Sequence, residues 1–462
     1  MRIRVPDSIS SRRPDAYLVG GCVRDLIQGV TPRDYDLAVS EAPRNFAEEI
    51  ATRLGGRFFV LGKDKFTVFC VATPEAQIDI MAYKGPDIQS DLMQRDFTIN
   101  ALACRLSDGR LVDVAGGLED LHRRMVRMVS PLAFRDDPVR LVRAFRMGAA
   151  MNFRIETETL ETIKASAHLL RQSAAERIWA ELQRILACPG SYPHLLMMYN
   201  TNVLPTILPE LVEYHPGLRR HHRGSDDPNR ALGAIQTLEA ILDHPDAFLP
   251  PVPAEFVQSF NDEDRVLLKM AALLRDIGKP ECRTVDAAGR IRYYGHAARG
   301  AESAQAIGRR LRLSNRHREW LATLVHRHQQ PLFLFRAGQG RKKPPPKATG
   351  RFFRQCGAQA PHLLTLSLAG SMTGTHPSAR HPSALTGFLI GMLAYYADKI
   401  DPRRQSTILN GQDLIRNFNL RPSPVIGTIL RRVEELYLAG LIRDREQALQ
   451  WVGEHIGTQQ HG

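Results

Sequence analysis

The sequence predicts an α+β fold: a small mixed α/β head followed by a long, all-helical neck, body and tail. Three observations carry this reading. Short apolar or alternating runs rich in Val, Ile, Phe and Tyr crowd into residues 1–125. From about residue 126 these runs give way to the i, i+3, i+4 spacing of amphipathic helices. The 462 residues also exceed what one hydrophobic core fills, so several units are expected.

In the head, "AYLVG", "YDLAV", "RFFVL", "TVFCVAT" and "AQIDIMA" each read as a strand. "APRNFAEEIATRLGG" reads as a helix that stops at glycine. Beyond it, "PVRLVRAFRMGAAM", "AAERIWAELQRILA" and "DEDRVLLKMAALLRDIGK" are helices with one apolar face. The expected organisation is a head over 1–125, a helical neck over 126–190, a body over 191–400 and a tail over 401–462. The stretch "RAGQGRKKPPPKATGRFF" (336–353), dense in Gly, Pro and Lys, reads as an exposed basic loop that could contact RNA.

Lys and Arg outnumber Asp and Glu by 62 to 49, a net charge of +13 that favours a polyanionic partner. The six cysteines are scattered with no C-x-x-C, which argues against a zinc knuckle and for a reducing compartment. "MRIRVPDSIS" has no apolar leader, and the best apolar run, "ALTGFLIGMLAYYA" from Ala384, falls short of the roughly 20 residues a membrane span needs. A cytoplasmic protein with no membrane contact is expected.

The chemistry concentrates in "YLVGGCVRDLIQGVTPRDYDLAV" (17–39). Strand side chains alternate, so Asp34 and Asp36 point the same way. Two such carboxylates suit Mg²⁺, a hard ion that prefers oxygen ligands. Asp79 in "AQIDIMA" is the best-placed third carboxylate from a neighbouring strand. A metal pair held this way serves in-line phosphoryl or nucleotidyl transfer. Gly20 and Gly21 let phosphates approach the backbone, and Arg24 can fork onto a phosphate.

With V-G-G-x-V-R-D standing nine residues before D-x-D, this segment resembles the first signature of the class II tRNA nucleotidyltransferase and bacterial poly(A) polymerase family, within the polymerase-β-like nucleotidyltransferases. Four further motifs follow in the family's order over roughly the first 185 residues. "RDFTINALA" (95–103) resembles the second, through which Arg95 and Asp96 would help bind the incoming nucleotide. Asp25 and Asn100, from the first and second motifs, join the expected nucleotide-binding set. "GGLEDL" (116–121) resembles the hinge motif, "FRDDPVRLVRAFRM" (134–147) the nucleotide-selecting motif and "ERIWAEL" (176–182) the neck-stabilising motif. The resemblance implies addition of C, A or both to the 3′ end of tRNA, with CTP and ATP as substrates. Poly(A) addition to RNA by the same chemistry is the alternative.

The selecting motif is E-D-x-x-R in the family and reads Asp136-Asp137-Pro-Val-Arg140 here, with Asp136 shorter than the family's Glu. On a helix Asp137 and Arg140 would share a face. A carboxylate accepts from the exocyclic amino group of cytosine or adenine, and a guanidinium donates to the adjoining ring nitrogen. Uracil and guanine present the opposite polarity. Arg143 and Arg146 continue the stripe and are expected to meet the triphosphate.

In the body, "LLRDIGKP" (273–280) and "YYGHAARGAESAQAIGRRL" (293–311) resemble an HD domain. HD hydrolases hold a metal with a His, a His-Asp pair and a later Asp. Here the pair reads Arg275-Asp276, the upstream His falls near Gly233 and the later Asp at Gly370. Asp276 alone is retained, so an Arg275–Asp276 ion pair is expected instead of a metal site, and HD phosphohydrolase activity is disfavoured. His221, His222, His296, His326 and His328 show no ligand spacing; His326 and His328 diverge on a helix. "LNGQDLIRNFNL…" (409–452) resembles the helical tail of HD-bearing members, with arginines that could lie along a tRNA acceptor arm. Only fifteen residues separate Asp79 from Arg95, where CCA-adding relatives usually carry a longer flexible loop; C addition without efficient A addition is therefore expected. No motif encodes an oligomeric state.

Overall fold

The computed structural model describes residues 1–62, 67–213, 228–338, 346–373, 383–400, 408–438 and 440–455. The chain divides into two compact units: Met1–Cys188 with Pro193–Ile207, and Pro189–Tyr192 with Leu208–Gly462.

The first unit is built on a seven-stranded sheet in the order β3-β4-β5-β2-β1-β6-β7. The strands are β1 (Tyr17–Val19), β2 (Asp34–Val39), β3 (Arg57–Leu61), β4 (Val68–Ala72), β5 (Gln77–Ala82), β6 (Leu102–Arg105) and β7 (Leu111–Asp113). All neighbours run antiparallel except β2 and β5, which are parallel. The five expected strands are present; β6 and β7 are too short for alternation to mark them in sequence.

The pleat sorts side chains to two faces. Leu18, Tyr35, Leu37, Val39, Ile78 and Ile80 pack with Phe46, Ala47 and Ile50 of helix α2 (Pro43–Leu54). On the opposite face Tyr17, Val19, Ala38 and Ala103 pack with Ile88 and Leu92 of α3 (Ile88–Leu92). Asp34 and Asp36 have the parity of Ala38 and so belong to this second, less covered face. Between β1 and β2 runs α1 (Gly21–Ile27). After the sheet come α4 (Gly117–His122), α5 (Leu132–Asp136), α6 (Arg140–Met151), α7 (Thr157–Ser166) and α8 (Ala175–Ala187).

The second unit is helical. The helices Pro228–Asp243, Asp262–Leu274, Ala360–Met372 and Ala384–Lys399 pack with the pair His296–Arg310 and Asn315–Arg327. Asp262–Leu274 opens with a capping box, Asn261 and Asp264 exchanging side-chain and backbone bonds, as its acidic first turn suggests. In the tail, Gly411–Phe418, Pro424–Leu438 and Arg445–His455 close a small core of their own around Leu414, Ile429, Val433 and Val452.

Two expectations are corrected. Strands do not end at residue 126: Met125–Val126 pairs with Arg154–Ile155, and Thr284–Val285 with Ile291–Arg292. Two-residue ladders leave no periodic trace in a sequence. The basic stretch is not a loop throughout, since Pro346–Cys356 is a helix; prolines fit a helix's first turn. Its residues 339–345, like His221 and His222, lie outside the described residues. Among the described residues no helix is long and apolar enough to cross a membrane.

Candidate active site

The parallel pairing of β2 with β5 sets Asp36 directly opposite Asp79, and Asp34 opposite Gln77. The three carboxylates therefore share one sheet face, as the i, i+2 spacing and the choice of Asp79 anticipate. Asp34 is exposed, while Asp36 and Asp79 are half-buried. Gln77 Nε2 donates to Asp79 Oδ1 at 3.0 Å. Burial raises the pKa of Asp36, Arg95 opposes this, and the charges of Asp79 and Asp34 add to it. A half-buried carboxylate that resists ionisation beside two others is a donor that a divalent cation relieves. The oxygens on this face suit a metal, which Asp34 and Asp36 would hold with Asp79 alongside.

Gly20 joins β1 to α1 at φ 77°, ψ −141°, a conformation that favours glycine. A Cβ there would lie 2.9 Å from Arg95 Nη1 and 3.5 Å from Asp36 Oδ2. The missing side chain is what lets Arg95 reach the carboxylates. Arg95 is aimed by Asp91, whose Oδ2 takes its Nε and Nη2 at 3.1 and 2.9 Å. Asp91 Oδ1 also accepts from Lys84 N at 3.0 Å, and Asp87 caps α3 through Ser90 N. The fifteen residues after Asp79 are therefore a strand end, a turn and a capped helix. Asp91 was not singled out in the sequence; its i, i+4 spacing to Arg95 was the available signal.

Beside this face a continuous polar chain links α1 to α8. Arg24 Nε and Nη2 bond Asp25 Oδ1 at 3.0 and 2.8 Å, and Nη1 bonds Asn100 Oδ1 at 2.6 Å. Asn100 Nδ2 donates to Asp96 Oδ1 at 3.0 Å. Asp96, buried, pairs through Oδ2 with Arg143 Nη1 at 3.1 Å. Arg143 Nε then meets Glu181 Oε1 at 2.9 Å, and Arg146 Nε meets Glu181 Oε2 at 2.5 Å. Burial works against ionisation of Asp96, but Arg143, Asn100 and the Phe97 N–H outweigh it and its pKa is lowered.

Three site expectations change here. Arg24 is already forked onto Asp25 and Asn100. Arg143 and Arg146 do not stand free for a triphosphate, because the buried Glu181 of the neck motif claims both. Asp137 and Arg140 do not share a helix. Pro138 forces Asp137 into extended geometry (φ −148°, ψ 94°), so α5 ends at Asp136 and α6 begins at Arg140. Asp137 instead holds Arg177 at 3.0 and 2.7 Å. Burial opposes its ionisation, yet Arg177 and then Arg143 and Arg140 lower its pKa. Arg140 Nη1 donates to the Gln94 and Ala133 carbonyls at 3.2 and 3.3 Å, while its buried Nε has no hydrogen-bond partner among the described residues.

Residues 16–127 match the family model described as poly A polymerase head domain, and residues 152–214 match the probable RNA- and SrmB-binding site of polymerase A. The chain is 31% identical over 449 residues to the A-adding tRNA nucleotidyltransferase of Deinococcus radiodurans, covering 95% of both chains. The chain belongs to the class II tRNA nucleotidyltransferase family. The CC-adding tRNA nucleotidyltransferase of Thermus thermophilus is 30% identical over 465 residues, with 97% of both chains covered. In fold, the chain matches the Thermotoga maritima CCA-adding enzyme complexed with tRNA (TM-score 0.66, 22% identity), covering 96% of this chain and 91% of that one. Membership makes the chain a nucleotidyltransferase, and the family's enzymes are metal-dependent in general.

Proposed function

We propose that this chain adds C nucleotides to the 3′ end of tRNA, as a CC-adding enzyme using Mg²⁺ and CTP, in the cytoplasm. The observation that carries the chemistry is the register of Asp36 against Asp79 with Asp34 on the same face. Arg95, held by Asp91 beside Gly20, is suited to a nucleotide phosphate arriving at that turn. The capped turn and helix between Asp79 and Arg95 support C addition, because they leave no long flexible loop there. Bound metal supplies activation of the terminal hydroxyl and charge neutralisation on the departing pyrophosphate.

The chain's own residues have distinct tasks. Asp34, Asp36 and Asp79 hold the charge that gathers metal at one strand pair. Asp137 and Arg140 read the base across the break between α5 and α6, the carboxylate accepting from the amino group and the guanidinium donating to the ring nitrogen. Arg177 sets the carboxylate's orientation. Arg24, Asp96, Asn100, Arg143 and Arg146, with Asp25 and Glu181, keep α1, the second motif and α6 in register, which holds sugar and phosphates in line. The head (1–125), neck (126–190), body (191–400) and tail (401–462) divide this work, the arginines of the tail lying along RNA.

Addition of A is the second reading. It is favoured by the Deinococcus radiodurans relative, an A-adding enzyme that matches over nearly the whole chain. Incubation with tRNA transcripts ending before, within and after CCA, with each NTP separately, tests both. CTP incorporation that stops before the terminal A is the expected result. A incorporation only after CC would establish the second reading, and long A tracts with CTP ignored would make the chain a poly(A) polymerase.

A further inference from the structure

The helical unit contains a cavity of about 290 Å³ lined by none of the residues assigned to nucleotide addition. One wall carries Arg275, Asp276, Lys279 and His328; Leu366, Leu385 and Leu389 also line it. This is the place where the HD resemblance would put a metal. Asp276, His296 and His328 do bring one ligand atom each within 4.8 Å of one another. Sequence reading missed that convergence, because the three residues come from three separate segments.

Two cations already occupy the same carboxylate. Lys279 Nζ lies 3.1 Å from Asp276 Oδ1, and Arg275 Nε lies 3.4 Å from Oδ2. Burial favours the neutral acid, yet Arg275, Lys279 and His328 hold its pKa at about 2. A divalent ion on Asp276 would face both cations. Arg275 also fills the space beside Gly370: a Cβ there would overlap Nη1. The substitutions His→Arg at 275 and Asp→Gly at 370, read against the HD pattern, are therefore spatially matched. The guanidinium sits where the carboxylate is gone.

The exchange changes the sign of the pocket. Arg275 and Lys279 outweigh Asp276 by one positive charge. Arg275 is 7% exposed, and its Nε makes no hydrogen bond among the described residues. A buried guanidinium with an unfilled donor costs free energy, and an oxyanion entering the cavity supplies it with an acceptor beside Asp276. His328 decides which oxyanion. Its Nδ1 meets the Val325 carbonyl at 2.7 Å and must donate to it, so Nε2 carries a lone pair. A carboxylate has no proton to offer that lone pair, whereas a protonated phosphate oxygen does. The volume, at the lower end of small-molecule sites, limits the body of the ligand, and the leucines suit an apolar or ring-bearing one.

We propose that this pocket binds a small phosphate-bearing molecule, no larger than a mononucleotide, with its phosphate on Arg275 and Lys279 and its body against Leu366, Leu385 and Leu389. The full chain is titrated with inorganic phosphate, CMP and cytidine in the presence of EDTA, following heat and the ring signals of His296 and His328. CMP is expected to bind in the millimolar range or tighter, to shift both ring signals and to bind better than phosphate, while cytidine leaves the rings unmoved. Phosphate binding as well as CMP would assign the site to free phosphate chemistry within the same proposal. Lys279→Gln, at a half-buried position that a melting curve can verify as folded, should weaken binding by about tenfold or more. Arg275→Gln should abolish it, and tRNA extension should be unchanged in both. Three results overturn the proposal: no saturable binding by phosphate or CMP, ring signals that stay still while ligand binds, or binding equal in Lys279→Gln and wild type. In a separate titration without EDTA, Mn²⁺ binding that His296→Ala removes, without phosphate binding, would overturn the proposal and make the pocket a metal site. None of these results depends on which nucleotide the head adds.

Discussion

Asp137 and Arg177 meet in a two-pronged ion pair, 3.0 and 2.7 Å, although forty residues separate them. The pair ties the break between α5 and α6 to the first turn of α8. Arg177 is 52% exposed, so the bond adds little to stability; its effect is to orient a carboxylate. Asp137→Ala should relax discrimination against UTP and GTP by about 1–3 kcal/mol, the scale of one bidentate base contact. Arg177→Ala should do the same more weakly, with melting shifted by no more than about 1 kcal/mol. Comparison of kcat/KM for the four NTPs decides it; unchanged selectivity in Asp137→Ala would put base reading elsewhere.

Asp36→Asn should separate activity from stability. Burial raises the Asp36 pKa, so the folded chain favours the protonated acid. That contribution is complete below the ordinary carboxylate pKa and is lost as pH rises through the raised value. At neutral pH and without divalent metal, the variant should therefore melt higher than wild type, the gap closing toward pH 4. Incorporation should fall by about a thousandfold or more, several kcal/mol of barrier. Added Mg²⁺ should raise the wild-type melting temperature and leave the variant unmoved.

Gly20→Ala tests the close approach at the β1–α1 turn. Its backbone conformation costs an L-residue about 1–3 kcal/mol. The new Cβ would also press on Arg95 Nη1, 2.9 Å away. Urea unfolding should register the cost, and KM for the NTP should rise because Arg95 is displaced. A normal KM with lowered stability would separate Arg95 from nucleotide binding.

Glu181→Ala removes the one carboxylate that Arg143 and Arg146 share. Both guanidiniums are only about a quarter exposed, so they are left poorly compensated. A loss of about 3 kcal/mol is expected, at the low end for a broken buried pair. Glu181→Gln keeps the hydrogen-bond geometry but not the charge, and should fall between wild type and Glu181→Ala in denaturant melts.

His328 should impose an acid limit on the helical unit. Burial pushes its pKa down to about 4, against 6.5 for the free side chain. The unfolded chain takes up this proton first, so stability is full above pH 6.5 and declines as pH falls toward 4. The decline attributable to this group is roughly 2–4 kcal/mol. His328→Asn should flatten the stability profile between pH 4 and 6.5; a profile as steep as wild type would assign the acid limit to other groups.

Much of the head was legible because its signals are local. Alternation placed Asp34 and Asp36 on one face of a strand, and the same alternation nominated Asp79. Five strands and α2 followed from composition and a glycine stop. The amphipathic stripes from α6 onward needed no partner to be recognised, since each states which side faces a core.

What the sequence could not carry was pairing over distance. That Asp36 stands opposite Asp79 is a matter of strand register, set by the packing of both sheet faces. The residues Arg143 and Arg146 looked available on a helix stripe; only α8 folding alongside supplied Glu181 to claim them. Asp137 and Arg140 had helical spacing, but Pro138 broke the helix and Arg177 took the carboxylate. In the helical unit the sequence by itself carried a resemblance to an HD pattern with Arg275 and Gly370 at two ligand positions, while the tertiary structure put Arg275 into the space beside Gly370 and drew His296 and His328 to Asp276. The physical reason is common to all of them. Periodicity acts within a few residues along the chain, whereas ion pairs and shared volumes exist only once distant segments are packed and the charges they bury must be matched.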